Sequence, residues 1–339
     1  MKAAVVVTPG NLEVRDLPEP IVGDYDVLCK TIATGICSGT DTHIIDGLHY
    51  KKIFYPTVLG HEGIGKVIGI GKKVRHINLG DVVTRVFNVF PSDSPYSIAY
   101  GAFAEYSVAT DWQAMRDDAL PQSQWDCYRV HRVLPEWVDP VASTMIITWR
   151  ETLSFLTRMD VSSGQSVCII GSGANAMAFL EHTRNKSFRI TVIGSSLREK
   201  LFLSAGANLY IPYTNENVAG TLYDNNTQFD LIIDTIGDCL NLDAVIPFLG
   251  DKGKIGLYGL NAYHEYRIPV IKAQGDIQFF NGELYDEASA HDVVIEQWHA
   301  GMLNHEYYIS KEYIYHLNNI SDAFVATRER KTLKCIVTY

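Results

Sequence analysis

Three residues near the start of the chain carry side chains that can bind a metal ion. Cys37 lies in the segment 34–43, and His61 and Glu62 are neighbours in the segment 59–67. A thiolate, an imidazole and a carboxylate suit Zn²⁺, and a catalytic zinc site keeps one position open for water or substrate. Taken singly, such a cysteine is more often a buried thiol and such a histidine a hydrogen-bonded loop residue. The three residues therefore form a candidate site that needs independent support.

A second segment has the spacing of a dinucleotide-binding turn. Residues 171–176 read G-S-G-A-N-A, after a predicted strand at 166–170 and before a predicted helix that runs to Arg184. The first glycine allows a tight turn, the second lets backbone N–H groups approach a pyrophosphate, and the small third residue lets helix and strand pack closely. Such a turn can be purely structural, but two later strands also end in candidate ligand residues at the same sheet edge. The predicted cofactor-binding residues are Gly171, Ser172, Gly173, Ala174, Asn175, Ala176, Thr235 and Gly259.

The end of the second predicted strand indicates which cofactor is bound. An NAD enzyme usually has an acidic residue there, which accepts hydrogen bonds from the ribose hydroxyls. Here the strand is followed by Ser195, Ser196 and Arg198, and the first acid is Glu199. Hydroxyls and a guanidinium can bind a 2′-phosphate, so we expect NADP rather than NAD. The alternative is that the serines only cap the next helix.

The pattern of apolar runs along the chain changes near residue 145. Before residue 110 it shows short apolar runs between turn residues, which predicts a small β-barrel or sandwich. After residue 145 strands and helices alternate, which predicts a parallel sheet covered by helices on both faces. This alternation stops near residue 275, and a final apolar run at 334–337 suggests a return to the first domain. The predicted domains are 1–145 with 275–339, and 146–274.

Composition excludes several classes of protein. The chain has 339 residues and 47% hydrophobic residues, which is typical of a globular protein, and its net charge of −10 argues against nucleic-acid binding, which requires a basic face. It has no apolar run of the length that spans a bilayer and no signal-peptide pattern at its start. Its six cysteines are scattered, so we predict a cytoplasmic protein without a disulfide framework.

Taken together, these segments resemble the zinc-containing medium-chain dehydrogenase/reductase family of alcohol and polyol dehydrogenases. The resemblance covers nearly the whole chain in the family's order. It implies an α/β fold in which a Rossmann domain, a doubly wound parallel sheet, is inserted into a GroES-like β-barrel catalytic domain. The segments that carry it are 1–4, 35–37, 60–62, 74–83, 101–106, 171–176, 321–324 and 334–337.

The resemblance also implies roles for individual residues. Cys37 and His61 would bind one catalytic zinc, and Glu62 would be a further ligand or its close neighbour. Thr40 occupies the family's Ser/Thr position, where a hydroxyl passes the substrate proton to a relay. His43 would be the next member of that relay or a substrate contact, and a structural role for His43 is the alternative.

The chain departs from the family pattern in three places. One extra residue separates Cys37 from Thr40. The region 88–112 contains no cysteine, so no structural zinc is expected. Thr148 occupies the place expected for the last zinc ligand and cannot bind strongly. Glu151 lies one helical turn later on the same face and is the candidate substitute, with a surface ion pair as the alternative role.

The expected reaction is reversible hydride transfer between NADP(H) and an alcohol or carbonyl compound, of the polyol, sugar or secondary-alcohol class. By the same resemblance, residues 44–56 would line the substrate entrance, together with Asp111, Trp112, Asn281 and Glu283. Two alternatives remain open. One is a zinc-free quinone or enoyl reductase of the same superfamily, and the other is a non-catalytic NADP-binding protein.

The family also implies a homodimer or homotetramer, formed by pairing the edges of the Rossmann sheets. The apolar segment 253–269 is the candidate edge. A small-molecule substrate is expected as a partner, and neither nucleic acid nor a membrane.

Overall fold

The structure is a computed structural model, and it describes the chain except for residues 185, 187, 215–216, 226, 238, 260–267 and 283 and the side chains of 239 and 240. The chain divides into two compact units. The first contains Met1–Ile147 and Tyr308–Tyr339, and the second contains Thr148–Tyr307. No helix among the described residues is long and apolar enough to cross a membrane.

Short strands are frequent before residue 110, and strands and helices alternate after residue 145. The strands are β1 (Lys2–Thr8), β2 (Asn11–Asp16), β3 (Asp26–Gly35), β4 (Thr57–Val58), β5 (Glu62–Ile70), β6 (Val82–Thr84), β7 (Ser97–Ile98), β8 (Tyr106–Thr110), β9 (Ser166–Ile170), β10 (Arg189–Gly194), β11 (Leu209–Pro212), β12 (Phe229–Asp234), β13 (Leu249–Leu257), β14 (Ile277–Asn281), β15 (Ile314–His316) and β16 (Ile336–Thr338). The α-helices are α1 (Thr40–Ile45), α2 (Trp112–Asp117), α3 (Met145–Arg158), α4 (Ala174–Arg184), α5 (Glu199–Ser204), α6 (Val218–Asp224), α7 (Cys239–Val245), α8 (Glu287–His299) and α9 (Ile320–Arg328).

The first unit is built from two mainly antiparallel sheets. One has the order β2-β1-β4-β7, and the other has the order β15-β16-β3-β5-β6, with β8 also paired to β3. β3 and β5 form an extensive antiparallel ladder, which extends from Val27 opposite Ile70 to Gly35 opposite Glu62. The strand β16 pairs with the end of β3, so the last residues of the chain return to the sheet that carries the metal-site candidates.

The second unit contains one parallel sheet. Its order is β11-β10-β9-β12-β13-β14. This is the doubly wound order, in which the chain starts in the middle, moves outward to one edge and then returns to build the other half. All five residues of β9 are buried, as expected for a strand with helices on both faces. The predicted α/β fold with a Rossmann-type sheet is therefore confirmed.

The prediction of segment 253–269 as the edge of this sheet is wrong. β13 contains residues 253–257 and pairs with β12 on one side and with β14 on the other, so it lies inside the sheet. Residues 260–267 of that segment lie outside the described part of the chain. The sequence of β14 is I-Q-F-F-N, and two of its five residues are polar. Its apolar run is therefore too short to predict a sixth strand. Because β14 and α8 belong to the second unit, that unit extends through Tyr307.

A buried histidine connects three helices of the second unit. His182 on α4 is 1% exposed. Its Nε2 donates to the carbonyl oxygen of Trp149 on α3 at 3.1 Å, and its Nδ1 faces the side-chain amide of Gln297 on α8 at 3.1 Å. Burial lowers the pKa of His182 to about 4, because a charged imidazole there would lose its hydration. The folded protein therefore holds His182 in its neutral form.

We expect this histidine to make the stability of the second unit depend on pH. Its pKa is about 4 in the folded protein and 6.5 in the reference state, so between these values the unfolded chain binds the extra proton. The stabilisation is complete above pH 6.5 and decreases as the pH falls towards 4, by about 3 kcal/mol in total. Urea unfolding at a series of pH values measures this slope. His182→Gln should flatten it, and an unchanged slope in that variant would contradict the assignment.

Candidate metal centre

Cys37 is positioned by the end of β3 and the start of α1. The backbone N–H of Ile36 donates to the carbonyl of Cys335, which fixes the chain as it leaves the sheet. The N–H of Cys37 then donates to Oδ2 of Asp41 at 2.9 Å. Asp41 is fully buried in the first turn of α1, so this bond ties the cysteine to the helix that follows.

His61 and Glu62 lie at the start of β5, directly opposite the end of β3. Gly35 pairs with Glu62 in the ladder, and a Cβ atom at Gly35 would clash with the Glu62 carboxylate. Gly60 has a φ of +103° and packs against Phe103, where a side chain has no space. These two glycines allow the close approach of the two strand ends that the site requires.

The structure brings the three predicted donors together. One ligand atom from each of Cys37, His61 and Glu62 lies within 4.8 Å of the others. His61 is buried, and its Nδ1 lies 3.3 Å from Oδ1 of Asp41, an ion-pair distance without the alignment of a hydrogen bond. A carboxylate on one ring nitrogen leaves the other nitrogen available as a ligand, which is the usual arrangement around a metal-bound histidine. The donor set and this supporting carboxylate both fit a zinc ion.

The charges around His61 favour its protonated form in the metal-free chain. Burial alone would lower the pKa of His61, but Asp41 and then Cys37 oppose this effect. Their electrostatic and hydrogen-bond interactions with the imidazole raise the pKa of His61 well above its usual value. The pocket around the imidazole is therefore prepared to hold a positive charge, which a metal ion would also supply.

Glu62 is bound by a lysine from the far end of the chain. Both carboxylate oxygens of Glu62 accept hydrogen bonds from Nζ of Lys334 at 2.7 Å, and both side chains are 3% exposed. A carboxylate has about four lone-pair positions, so Glu62 can accept these bonds and still face a metal ion. The pair also balances one of the negative charges that would otherwise accumulate beside Cys37.

Two further side chains contact His61. The Arg85 guanidinium donates to the carbonyl oxygen of His61 at 2.6 Å, and the ring of Tyr100 lies 5.2 Å from the imidazole, centroid to centroid. Both residues have positive φ values, 64° and 74°. A left-handed backbone costs energy for residues other than glycine, and such costs concentrate at functional sites.

The predicted relay residues lie on one helix. Thr40 is the first residue of α1 and is half-buried, and His43 follows three residues later, which is the spacing of neighbours on a helix surface. Burial lowers the pKa of His43, the electrostatic interaction with His49 lowers it further, and a smaller effect of Asp46 opposes both. An imidazole is the side chain most often used to accept a proton from a hydroxyl group.

The remaining predicted ligand lies in the second unit. Glu151 is half-buried on α3, and Thr148 is buried on the same helix. The role of Glu151 as a metal ligand stays a prediction. Of the residues predicted to line the substrate entrance, Asp111 is buried and caps α2, and Glu283 lies outside the described residues.

Sequence reasoning missed two residues of the site. Asp41 stands next to Thr40 in the same motif, and its carboxylate four residues after Cys37 was an available signal. Lys334 carried no such signal, because 272 residues separate it from Glu62 and only the pairing of β16 with β3 brings them together.

The predicted dinucleotide turn has the geometry that its spacing requires. Gly171 has a φ of +122°, and a Cβ atom there would clash with Thr235. A Cβ atom at Gly173 would meet no atom within 4 Å, which leaves open space beside the N-terminus of α4. Gly259 is buried against the backbone of residues 236–237, where no side chain fits. The turn therefore leaves its backbone accessible at the carboxyl end of β9.

The residues proposed to select the cofactor surround the end of β10. The N–H of Ser195 donates to Oγ of Ser172 at 3.0 Å, and the hydroxyl of Tyr210 donates to the carbonyl of Ser195 at 2.7 Å. Gly194 packs so closely against Tyr210 and Ser172 that any side chain there would clash. An acidic side chain is therefore sterically excluded at position 194.

Comparisons with known proteins agree with this architecture. Residues 23–121 match the family model described as the alcohol dehydrogenase GroES-like domain. The chain is 30% identical over 292 residues to L-threonine 3-dehydrogenase of Streptomyces coelicolor. This alignment covers 77% of this chain and 78% of that protein. This chain is a member of the zinc-containing medium-chain dehydrogenase/reductase family.

Two further proteins are similar to this chain, one in sequence and one in structure. The chain is 27% identical over 283 residues to glucose 1-dehydrogenase 1 of Vulcanisaeta moutnovskia, covering 77% of this chain and 76% of that one. The solved structure of alcohol dehydrogenase TADH from Thermus sp. ATN1 superimposes with a TM-score of 0.80 at 20% identity, over 100% of this chain and 99% of that chain. The family assignment made from the motifs is thus confirmed, and the protein is an oxidoreductase with the expected fold.

We expect the buried Lys334–Glu62 pair to be essential to the folded state of this oxidoreductase. Lys334→Met leaves the Glu62 carboxylate buried without its partner, which should lower the free energy of unfolding by about 3–5 kcal/mol. Chemical denaturation measures this loss. The double variant Glu62→Gln/Lys334→Met removes both charges and should recover much of it.

The matched control for this experiment is Lys331→Met. Lys331 pairs with Glu329 on the surface, with both side chains 52% exposed. Exposed pairs contribute about 0–1 kcal/mol, so this variant should remain close to the wild type. Equal losses in Lys331→Met and Lys334→Met would show that the buried pair has no special role.

Proposed function

We propose that this protein is a zinc-dependent oxidoreductase that transfers a hydride reversibly between NADP(H) and an alcohol or carbonyl compound. The observation that carries the proposal is the cluster of half-buried Cys37 with buried His61 and Glu62, whose ligand atoms lie within 4.8 Å of one another, with Asp41 beside the imidazole. Cys37 and His61 would hold one catalytic zinc, with Glu62 and Glu151 as the candidates that complete its coordination. No structural zinc is proposed.

The residues of the site have distinct roles in this proposal. Bound zinc would lower the pKa of a substrate hydroxyl or polarise a substrate carbonyl. Asp41 holds Cys37 through its backbone and orients the His61 ring. In the oxidation direction, Thr40 Oγ1 would take the hydroxyl proton of the substrate and pass it to His43, and bound NADP would supply the hydride acceptor for the carbon that carries that hydroxyl group. In the reduction direction both transfers would be reversed.

A polyol, sugar or secondary alcohol is the proposed substrate class. The names of two relatives specify threonine and glucose, which are both polar molecules with a hydroxyl group on a secondary or hemiacetal carbon. A polar alcohol is therefore a better candidate than a simple apolar one.

NADP is the proposed cofactor because of the residues at the end of β10. Position 194 has no space for the acid that would bind ribose hydroxyls and repel a phosphate. Ser195, Ser196 and Arg198 follow it and offer two hydroxyls and a guanidinium. Backbone N–H groups of residues 171–176 would bind the pyrophosphate, with Thr235 and Gly259 at the neighbouring strand ends.

We also propose a cytoplasmic homodimer or homotetramer, without a nucleic-acid or membrane partner. β14 is an edge strand of the parallel sheet, and Phe279 on it is 46% exposed. An edge strand with unpaired backbone groups is suited to pairing with a second copy. This edge replaces segment 253–269 as the candidate interface.

We expect Thr40 to be required for turnover but not for metal binding. Thr40→Val removes the hydroxyl at nearly constant volume and should lower kcat by about 100-fold or more, the usual contribution of a proton-transferring group. Thr40→Ser keeps the hydroxyl and should retain most activity. Steady-state kinetics on a panel of polyols and sugars, together with zinc analysis of each variant, measures both properties.

Two outcomes would contradict this part of the proposal. One is a Thr40→Val variant with wild-type kcat. The other is purified protein that contains no zinc and reduces or oxidises no compound on the panel. The latter result would favour the zinc-free reductase or the non-catalytic NADP-binding protein.

We expect Arg198→Leu to weaken the use of NADP selectively. Loss of a charged hydrogen bond to the 2′-phosphate should lower kcat/KM for NADP by about 10- to 100-fold and leave the value for NAD nearly unchanged. Arg189→Leu is the control, because Arg189 is exposed at the opposite end of β10. If both variants behave alike, or if wild-type protein prefers NAD, the cofactor assignment is wrong.

A further inference from the structure

A small recess lies beside the helix that carries Thr40 and His43. Its volume is about 210 Å³. This is below the roughly 300–1,000 Å³ of pockets that enclose drug-sized ligands, so it suits one small group of a larger molecule. The recess is lined by Gly47, His49, Lys51, Lys52, Ile53 and Tyr55.

The loop that forms the recess is attached directly to α1. The N–H of Leu48 donates to the carbonyl of His43 at 2.8 Å, and the hydroxyl of Tyr55 donates to the carbonyl of Ile44 at 2.6 Å. Gly47 has a φ of +70° and packs against Pro9, where a side chain would clash. The recess therefore has a defined place at the C-terminal end of α1. Thr40 lies at the other end of this six-residue helix, about 9 Å away by the helical rise.

The recess is positively charged in a protein that is strongly acidic overall. Lys51 and Lys52 supply two ammonium groups, and each lies over an aromatic ring, Tyr50 at 5.0 Å and Phe54 at 4.8 Å. None of the lining residues is acidic. The nearby Asp46 is already paired with both terminal nitrogens of Arg328, at 2.7 and 3.0 Å.

The recess also acts electrostatically on the proposed relay. After burial, the electrostatic interaction with His49 is the next cause that lowers the pKa of His43. His49 is therefore close enough to His43 for the two imidazoles to interact. An anion in the recess would stand near one end of α1, and a reacting hydroxyl would stand near the other.

We propose that this recess binds an anionic group of the alcohol substrate, a phosphate or a carboxylate, through Lys51, Lys52 and His49. The proposal rests on the proposed function, because it assigns the other end of the same substrate to the Thr40 end of α1. Lysine binds phosphate as a compact point charge. The whole chain has a net charge of −10, so a locally positive recess differs from its surroundings and would select acidic over neutral alcohols. The favoured substrate class is then a phosphorylated or carboxylated polyol or sugar.

Binding can be tested without any turnover. Inorganic phosphate and acetate are titrated into the full-length protein by calorimetry at low ionic strength. We expect the variant Lys51→Ala/Lys52→Ala to weaken binding of the preferred anion by about tenfold. The matched control is Lys72→Ala/Lys73→Ala, which removes two adjacent exposed lysines from another loop of the same unit and should leave the affinity unchanged. The preferred anion distinguishes a phosphate substrate from a carboxylate substrate.

Kinetics then separates this inference from the proposed function. With sorbitol, sorbitol 6-phosphate and gluconate as test compounds, Lys51→Ala/Lys52→Ala should raise KM for the preferred acidic compound about tenfold more than KM for sorbitol, with little effect on kcat. Turnover without any preference for acidic compounds would overturn the inference and leave the proposed function standing. Phosphate or acetate binding that is lost equally in both double variants, or absent in the wild type, would also overturn it. Specific anion binding with no turnover of any compound would instead count against the proposed function.

Discussion

The antiparallel pairing of β3 with β5 is the constraint on which the metal centre depends. It sets Gly35 opposite Glu62, so the chain leaving β3 with Cys37 meets the chain entering β5 with His61. The space for the Glu62 carboxylate exists only because position 35 has no side chain. Two strand ends that lie far apart in sequence thereby supply three potential ligands within 4.8 Å.

That arrangement concentrates negative charge in a buried place, and the neighbouring residues compensate for it. Asp41, Glu62 and a Cys37 thiolate would repel one another at this depth without positive partners. Lys334 binds both oxygens of Glu62, and His61 lies between Asp41 and Cys37. A divalent cation would complete the balance. The same residues thus serve both the stability of the first unit and the chemistry proposed for it.

The second unit uses backbone rather than side chains to form its candidate site. The parallel order places the carboxyl ends of β9, β10 and β12 along one edge, and the glycines of the turn keep that edge open. The proposed choice between cofactors depends on a steric fact at the end of β10, where Tyr210 and Ser172 fill the space that an acid at position 194 would need. In the proposed function, cofactor selection would therefore be coupled to strand packing at this point.

Much of this protein could be predicted from local patterns in its sequence. The apolar run at 166–170 predicted the bounds of β9 correctly, because buried parallel strands read as continuous hydrophobic segments. The Gly-x-Gly turn, Cys37 and the His61-Glu62 pair were visible because their spacing reflects local backbone geometry. The family and fold followed from these motifs and are confirmed.

Only the tertiary structure decided which distant groups meet. Lys334 carries no local mark of its pairing with Glu62, since strand pairing between β16 and β3 depends on the whole first unit. The edge of the parallel sheet was predicted wrongly for the same reason, because a strand lies at an edge or in the interior according to its neighbours. The sequence of β14 is too short and too polar to predict a strand there. Side-chain periodicity records which face of a strand is buried, but strand order and long-range ion pairs depend on contacts that the periodicity does not encode.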